Sequence, residues 1–386
     1  MGRYATFFLG VVAVLASSAS ARSQERELSP AIAGTTRVVL QTPSPTPAPR
    51  IYPAPVEADY IIKDFHFRSG ETLPELKMHY RTIGTLKTDS AGVAQNAVLI
   101  GHGTGGAGTQ FLNPIFANVL FGPGQLLDAT KYFIILPDGI GHGKSSKPSD
   151  GLHAKFPHYT YDDMVAALYE VLTKKLGVNH LRLVMGTSMG GMQTWVWGET
   201  YPDFMDALMP LASNPVEIAG RNRVWRRMAM DAIRDDPDWQ GGEYKTQPTR
   251  ALVSAENLLL LAGSAPLFWQ SQAPTRDAAD KFYEDRVKPA VARLDANDLL
   301  YQIDSSRQYN PSPKLETIKA PLIAVNSADD FINPPELGMI EKDIKRVKRG
   351  KFVMLPVTDQ TRGHGTHTIA TIWQGYLKEL LEESAR

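Results

Sequence analysis

The sequence predicts an α/β fold: a mostly parallel central sheet flanked by helices, with a helical cap inserted into it. Three observations predict this. Short apolar runs recur from Asn96 to Leu355, each running into a polar or glycine-rich turn, and strands covered on both faces need such near-continuous runs. Stretches with helical spacing lie between them, and strand–helix alternation builds a parallel sheet. From Pro215 to about Asn310 the rhythm breaks into a helix-like segment rich in large side chains, and strand-like runs resume at Leu322. The expected organisation is a signal peptide at 1–21 and a Pro-rich disordered linker at 22–56. The core takes 57–214 and 311–386, and the cap takes 215–310.

The elements follow in order. Ala5 to Ala16 is apolar and ends in Ser17-Ser18-Ala19-Ser20-Ala21. The run is shorter than the ~20 residues a spanning helix needs. Its small-residue end is a cleavage site of the A-x-A kind, so the chain is expected to be exported, periplasmic or secreted, with no stable membrane insertion after cleavage. Pro43, Pro45, Pro47, Pro49, Pro53 and Pro55 then favour an extended tether. Tyr60 to Phe67 and Lys77 to Ile83 pair around the turn Ser69-Gly70-Glu71. The strand-like runs are Asn96–Ile100, Tyr132–Leu136, His180–Met185, Leu208–Ala212, Leu322–Val325 and Phe352–Leu355. Val165, Leu168, Leu172 and Leu176 mark one face of a helix over Tyr161 to Leu176, stopped by Gly177.

Composition removes several function classes. The 386 residues carry 41 Lys+Arg against 41 Asp+Glu, a net charge of +0. Bulk attraction to nucleic acid or an anionic membrane is therefore excluded. With no Cys, disulfides, thiolate metal sites and Cys nucleophiles fall together. Hydrophobic residues at 43% and charged residues at 21% suit an ordinary globular protein with a sizeable core.

The chemistry converges on three turns. Gly186-Thr-Ser188-Met-Gly190-Gly191 follows a strand and precedes a helix-forming stretch, Met192 to Glu199. Glycines on either side permit a sharp turn that projects the Ser188 hydroxyl, the pattern of a nucleophile elbow. A hydroxyl needs a base, and His serves near neutral pH. His364, between glycines after the run ending at Leu355, is preferred over His367. The imidazole needs a carboxylate to fix its tautomer. Asp330, after the strand Leu322–Val325, is preferred over Asp329. A developing oxyanion needs N–H donors. The backbone amides of Met189 and of Thr104, in the loop His102-Gly-Thr-Gly-Gly106, are the candidates. That loop lacks a GK[ST] ending and a G-x-G-x-x-G with a following acid, so nucleotide binding is discarded. No cofactor and no metal is expected. Arg226-Arg227 and the basic run Lys342 to Lys351 read as solvated helix faces.

These residues resemble the homoserine O-acetyltransferase (MetX-like) group of the α/β-hydrolase superfamily, over nearly all of the chain from about Asp59. Leu73-Pro-Glu-Leu76, Tyr80 to Leu86 and Gly122 to Asp128 are similar to its opening blocks. Ser188-Met-Gly-Gly-Met-Gln193 is the most specific piece. Asp236 to Tyr244 and Arg293 to Asn297 are similar to its cap motifs. The resemblance implies an α/β-hydrolase fold with Ser188 as nucleophile, Asp330 as acid and His364 as base. Two departures bear on the substrate. Where the family has a carboxylate-gripping Arg, this chain has Glu256, which repels a carboxylate. Where it has a second cap Arg, this chain has Met230. Acetyl-CoA is moreover cytoplasmic. The expectation is an exported, esterase-like serine hydrolase acting on a small-molecule ester or acyl substrate, with a homodimer possible. The alternatives are a homoserine O-acetyltransferase and an inactive binding protein on the same scaffold.

Overall fold

The computed structural model describes residues 49–385; the expected signal peptide and the linker up to residue 48 lie outside the described residues. Eight strands form one sheet: β1 Val56–His66, β2 Thr72–Ile83, β3 Ala97–Gly101, β4 Phe133–Pro137, β5 Leu183–Thr187, β6 Leu208–Leu211, β7 Leu322–Ser327 and β8 Gly350–Leu355, in the order β1-β2-β4-β3-β5-β6-β7-β8. β2 pairs antiparallel with both β1 and β4, and every other neighbouring pair is parallel. The opening hairpin is longer than the sequence suggests and starts at Val56, inside the stretch assigned to the linker.

Side-chain alternation along the strands explains the two layers of core. Leu99, Ile135, Val184, Leu208 and Ala324 point to one face, against helices α2 (Tyr161–Glu170) and α3 (Met189–Thr200), where Met164, Leu168, Trp195 and Trp197 are buried. Val98, Ile134, Met185, Met209 and Val325 point to the other, against Phe116 and Leu120 of α1 (Pro114–Leu120) and Trp373 and Leu377 of the terminal helix Ala370–Glu383. Both faces are apolar, so the strands read as continuous hydrophobic runs. α2 stops at Glu170, earlier than the periodicity predicts. Val171–Lys175 forms a π turn before Gly177, at φ +66°, ends the segment. The apolar spacing continues through both, because a π turn keeps Val171 and Leu172 on the buried side.

Between β6 and β7 run α4 (Gly220–Arg234), α5 (Thr249–Ala262), α6 (Pro266–Gln272), α7 (Arg276–Val291) and α8 (Ala296–Asp304). They carry a core of their own from Ala229, Met230, Ile233, Leu252, Ala255, Leu299 and Ile303. Met230 is fully buried there, which gives it a packing role. A short α9 (Met339–Asp343) and α10 (Ala370–Glu383) complete the helices. Among the described residues no single helix is long and apolar enough to cross a membrane.

The end of the expected disordered linker is held against the core. The Tyr52 ring meets Phe121 edge-on at 5.6 Å, its hydroxyl donates to the Leu112 carbonyl at 3.4 Å, and Asn118 donates to the Pro49 carbonyl. One aromatic anchor with a polar tip ties down a segment whose composition alone predicts looseness.

The tightest backbone-to-backbone approach is at Gly190, where α3 meets β3. A Cβ there would lie 2.0 Å from the Gly101 carbonyl oxygen, whereas one at Gly375, within α10, meets nothing within 4 Å. Gly190→Ala should therefore destabilise the protein by about 2 kcal/mol or more. Gly375→Ala should raise stability by up to about 1 kcal/mol. Urea unfolding of the two variants checks both signs.

Candidate active site

Three loops at the C-terminal ends of β5, β7 and β8 meet at one point. Ser188 occupies the turn between β5 and α3 with φ 54° and ψ −112°, a backbone conformation that persists only where the surroundings impose it. Those surroundings are glycine contacts. A Cβ on Gly186 would lie 2.3 Å from the Gly190 carbonyl oxygen, and one on Gly191 2.5 Å from that of Leu211. The glycines thus let α3 start directly against the strands, which turns the Ser188 side chain out of the sheet.

Ser188 Oγ lies 2.8 Å from His364 Nε2, and His364 Nδ1 lies 2.8 Å from Asp330 Oδ2. An ionised carboxylate only accepts, so Nδ1 is the donor and Nε2 accepts the Ser188 proton. Asp330 is 2% exposed. Burial pushes its carboxyl up. The His364 ring and the Asn333 side chain and amide outweigh this and hold it below the usual carboxylate range. Its oxygens also accept from the amides of Ile332 and Asn333. The arrangement can draw a proton from Ser188 and stabilise the resulting imidazolium.

The two competitors have other partners. Asp329 accepts from the Ser327 hydroxyl and from the Gly363 amide at 3.0 Å, bracing the loop that carries His364. His367 is packed edge-on to His364 at 5.1 Å with its Nδ1 buried and unpaired. Burial, followed by the proximity of His364, lowers it to about 3.

The 102–106 loop lies beside the nucleophile: a Cβ on Gly103 would be 3.5 Å from the Ser188 Cβ. His102, fully buried, holds this loop. Gly139 N–H donates to His102 Nε2 at 2.9 Å, so the ring proton sits on Nδ1 and is donated to the Gly103 carbonyl at 2.8 Å. Gly106 N–H reaches the same carbonyl. Gln110 accepts from Gly103 N–H and donates to Thr187 Oγ1. In a trans peptide the C=O and N–H point oppositely, so anchoring the Gly103 carbonyl turns the Thr104 N–H away from His102. Among the described residues, neither the Thr104 amide nor the Met189 amide at the start of α3 is used in a hydrogen bond. Sequence reasoning passed over His102 and Gln110; the His next to the glycine-rich run was the available signal.

Beneath this loop, Asp138 Oδ1 accepts from Arg81 Nη1 at 2.7 Å and from Gly108 N–H, and Oδ2 from Lys144 N–H. Burial raises the Asp138 carboxyl, and these donors together hold it below its ordinary value.

One expectation is corrected. Arg226 does not lie on a solvated face: it is 2% exposed, donating to Asn222 Oδ1 at 2.9 Å and Ser306 Oγ at 3.3 Å. Its neighbour Arg227 is the solvated one, paired with Asp231. Helical rotation of about 100° per residue separates them. Glu256 is half-buried, and burial raises its carboxyl against the pull of Arg293. The described residues enclose two apolar volumes. One of about 410 Å³ is lined by Met192, Ile218, Tyr309, Ile332, Asn333 and Met339. Asn333 therefore forms part of its wall while holding Asp330. The other, about 510 Å³, lies within the cap among Leu260, Leu261, Trp269 and Phe282.

Residues 96–354 match the family described as alpha/beta hydrolase fold. A probable acyltransferase of Methanothermobacter thermautotrophicus is 33% identical over 287 residues, covering 74% of this chain and 86% of that protein. A homoserine O-acetyltransferase of Pelobacter propionicus is 30% identical, covering 77% of this chain and 87% of its own length. The crystal structure of an acetylester hydrolase from Corynebacterium glutamicum superposes with a TM-score of 0.75 at 23% identity, covering 85% of this chain and 96% of that one, which shows likeness of fold.

Burial holds three histidines neutral: His102 below its ordinary value, and His142 and His367 at about 3. Their folded values lie under the unfolded value of about 6.5. The stability they contribute is therefore complete above that pH and is lost as pH falls. Between those limits the slope is about 1.4 kcal/mol per pH unit for each of His142 and His367, and His102 adds to it in the same direction. Urea unfolding between about pH 6 and 4 should show this slope. His142→Asn, which can still donate to the Ile140 carbonyl, should lower it by one proton.

Proposed function

The chain belongs to the α/β-hydrolase fold family and, within it, to the homoserine O-acetyltransferase-like group of hydrolases and acyltransferases, and from this premise we propose that it is an exported serine hydrolase of small-molecule esters. The observation that carries the reading is the line Ser188 Oγ–His364 Nε2–His364 Nδ1–Asp330, with both bonds at 2.8 Å, on a turn whose backbone holds the hydroxyl out of the sheet.

Ser188 Oγ attacks the ester carbonyl while His364 Nε2 takes its proton. Asp330 keeps the ring in the Nδ1–H tautomer and stabilises its charged form. The amides of Thr104 and Met189 donate to the oxyanion. The carbonyl then re-forms, the C–O bond to the alcohol breaks, and His364 returns the proton to the leaving oxygen. Water, deprotonated by the same Nε2, attacks the acyl-Ser188 ester. Acid is released and Ser188 regains its proton.

Water as acceptor is supported by three features. At the two positions where the related acetyltransferases carry cap arginines for homoserine, this chain has Glu256 and Met230, the latter packed in the cap core. The N-terminal 1–21 segment has export composition, and acetyl-CoA is a cytoplasmic cosubstrate. A second reading, acyl transfer from acetyl-CoA to homoserine, is favoured by the names of the relatives.

The mature chain from Arg22, mixed with p-nitrophenyl acetate, should give a p-nitrophenol burst and no CoA release from acetyl-CoA, with or without homoserine. Ser188→Ala should remove the burst and lower turnover by about ten thousand-fold or more. Homoserine-dependent CoA release would establish the second reading. Unchanged ester turnover in Ser188→Ala would refute both.

A further inference from the structure

Among the described residues, α4 of the cap carries a buried positive charge with no carboxylate counter-ion. Arg226, on the second turn of α4, is 2% exposed. Its Nε donates to Asn222 and its Nη1 to Ser306. Both acceptors are neutral, and no carboxylate lies within ion-pair distance of it among the described residues. A guanidinium has five N–H donors; these two bonds use two of them, and the Tyr161 hydroxyl stands beside the rest. A second arginine, Arg223, sits one turn earlier on the same helix with its Nη1 buried and unpaired. Two further donors stand in the same place. The Tyr161 hydroxyl faces Arg226, Ser306 and Thr104, and both it and Thr104 Oγ1 are buried without an aligned partner. An isolated buried charge destabilises the fold, and an anion in contact with it offsets that.

The position of the cluster relates it to the reacting serine. Thr104 contributes its hydroxyl to the cluster. Its amide is the proposed oxyanion donor, and the adjoining Gly103 packs on Ser188. A group held between Arg226, Tyr161 and Thr104 therefore lies only a few covalent bonds from a carbonyl carbon on Ser188. Every unpaired group there is a donor or can act as one, which matches an acceptor-only ligand. The free edge of Arg226 matches the two oxygens of a carboxylate.

We propose that Arg226, assisted by Arg223, Tyr161 and Thr104, binds a carboxylate of the substrate, so that the enzyme hydrolyses short esters that carry a free acid group. This rests on the hydrolase reading and names its substrate class. It also changes the part given to the cap: the selecting element is a buried cation, while the cap's large apolar side chains line a separate groove.

The test compares 3-acetoxybenzoate with its methyl ester on the mature protein. The wild type should prefer the free acid by tenfold or more in kcat/KM. Arg226→Met should reduce that ratio to about one or below. Arg223→Met, at a partly exposed position, should lower it as well and serves if Arg226→Met does not fold. Arg227→Met, which removes the same charge from the neighbouring solvated position, should leave the ratio as it is. A purely structural role for Arg226 would lower turnover of both esters together and leave the ratio unchanged, which would overturn the proposal, as would a wild type with no preference. If neither ester is turned over, the hydrolase reading fails by itself. Benzoate binding to the Ser188→Ala protein, measured by calorimetry, then decides the anion site: binding lost in Arg226→Met upholds it, and no binding, or binding that survives the substitution, overturns it.

Discussion

The structure depends on one steric constraint: the first turn of α3 lies in van der Waals contact with the backbones of β3 and β5, with no room for a Cβ at Gly190 or Gly186. This contact holds Ser188 in a left-handed conformation and aims its hydroxyl at His364. It also directs the amide of Met189, at the helix start, toward the same space. The parallel sheet brings the loops after β5, β7 and β8 to one edge, where an open α/β sheet binds its ligands. Remove the contact, and the hydroxyl, the amide and the histidine lose their common point.

Around this point the electrostatics are arranged in two ways. Asp330 is buried, ionised and saturated with donors, so it can orient His364 without itself being free to move. His102 is buried and neutral, which lets it accept from Gly139 and donate to Gly103 at once. A charged His102 could only donate, and the Gly139 amide would be left unsatisfied. The Arg81–Asp138 pair under the loop is the expensive element of the design. Its charges are desolvated, and the amides of Gly108 and Lys144 complete the carboxylate's hydrogen bonds. Arg226 is the exception, because its bonding partners within the chain are neutral.

Much of this was legible in the sequence, for identifiable reasons. The doubly covered strands announce themselves as apolar runs, and Ser188, Asp330 and His364 each follow one. Asp330 and Asp329 were harder to separate, since both follow β7 and differ only in which side of the His364 loop they meet. The helix over Tyr161 to Leu176 was overextended because apolar spacing does not distinguish an α turn from a π turn. The packing of Tyr52 was hidden by the prolines around it. Arg226 reads as solvated from its charge alone, although the sequence holds a contrary signal. It lies four residues before Met230, on the face that Ala229, Met230 and Ile233 bury, while Arg227 is turned out. The role of His102 depends on a hydrogen bond to Gly139, 37 residues away, which no local pattern encodes.

The central claim is that Ser188 carries the acyl group and gives it to water. The most direct measurement quenches the reaction with p-nitrophenyl acetate in heavy-oxygen water and examines both protein and product by mass spectrometry. The account predicts one acetyl group on the Ser188 peptide during turnover, and released acetate carrying one heavy oxygen. An acetyl group on another residue, or an acetyl-Ser188 that persists until homoserine is added, would contradict it.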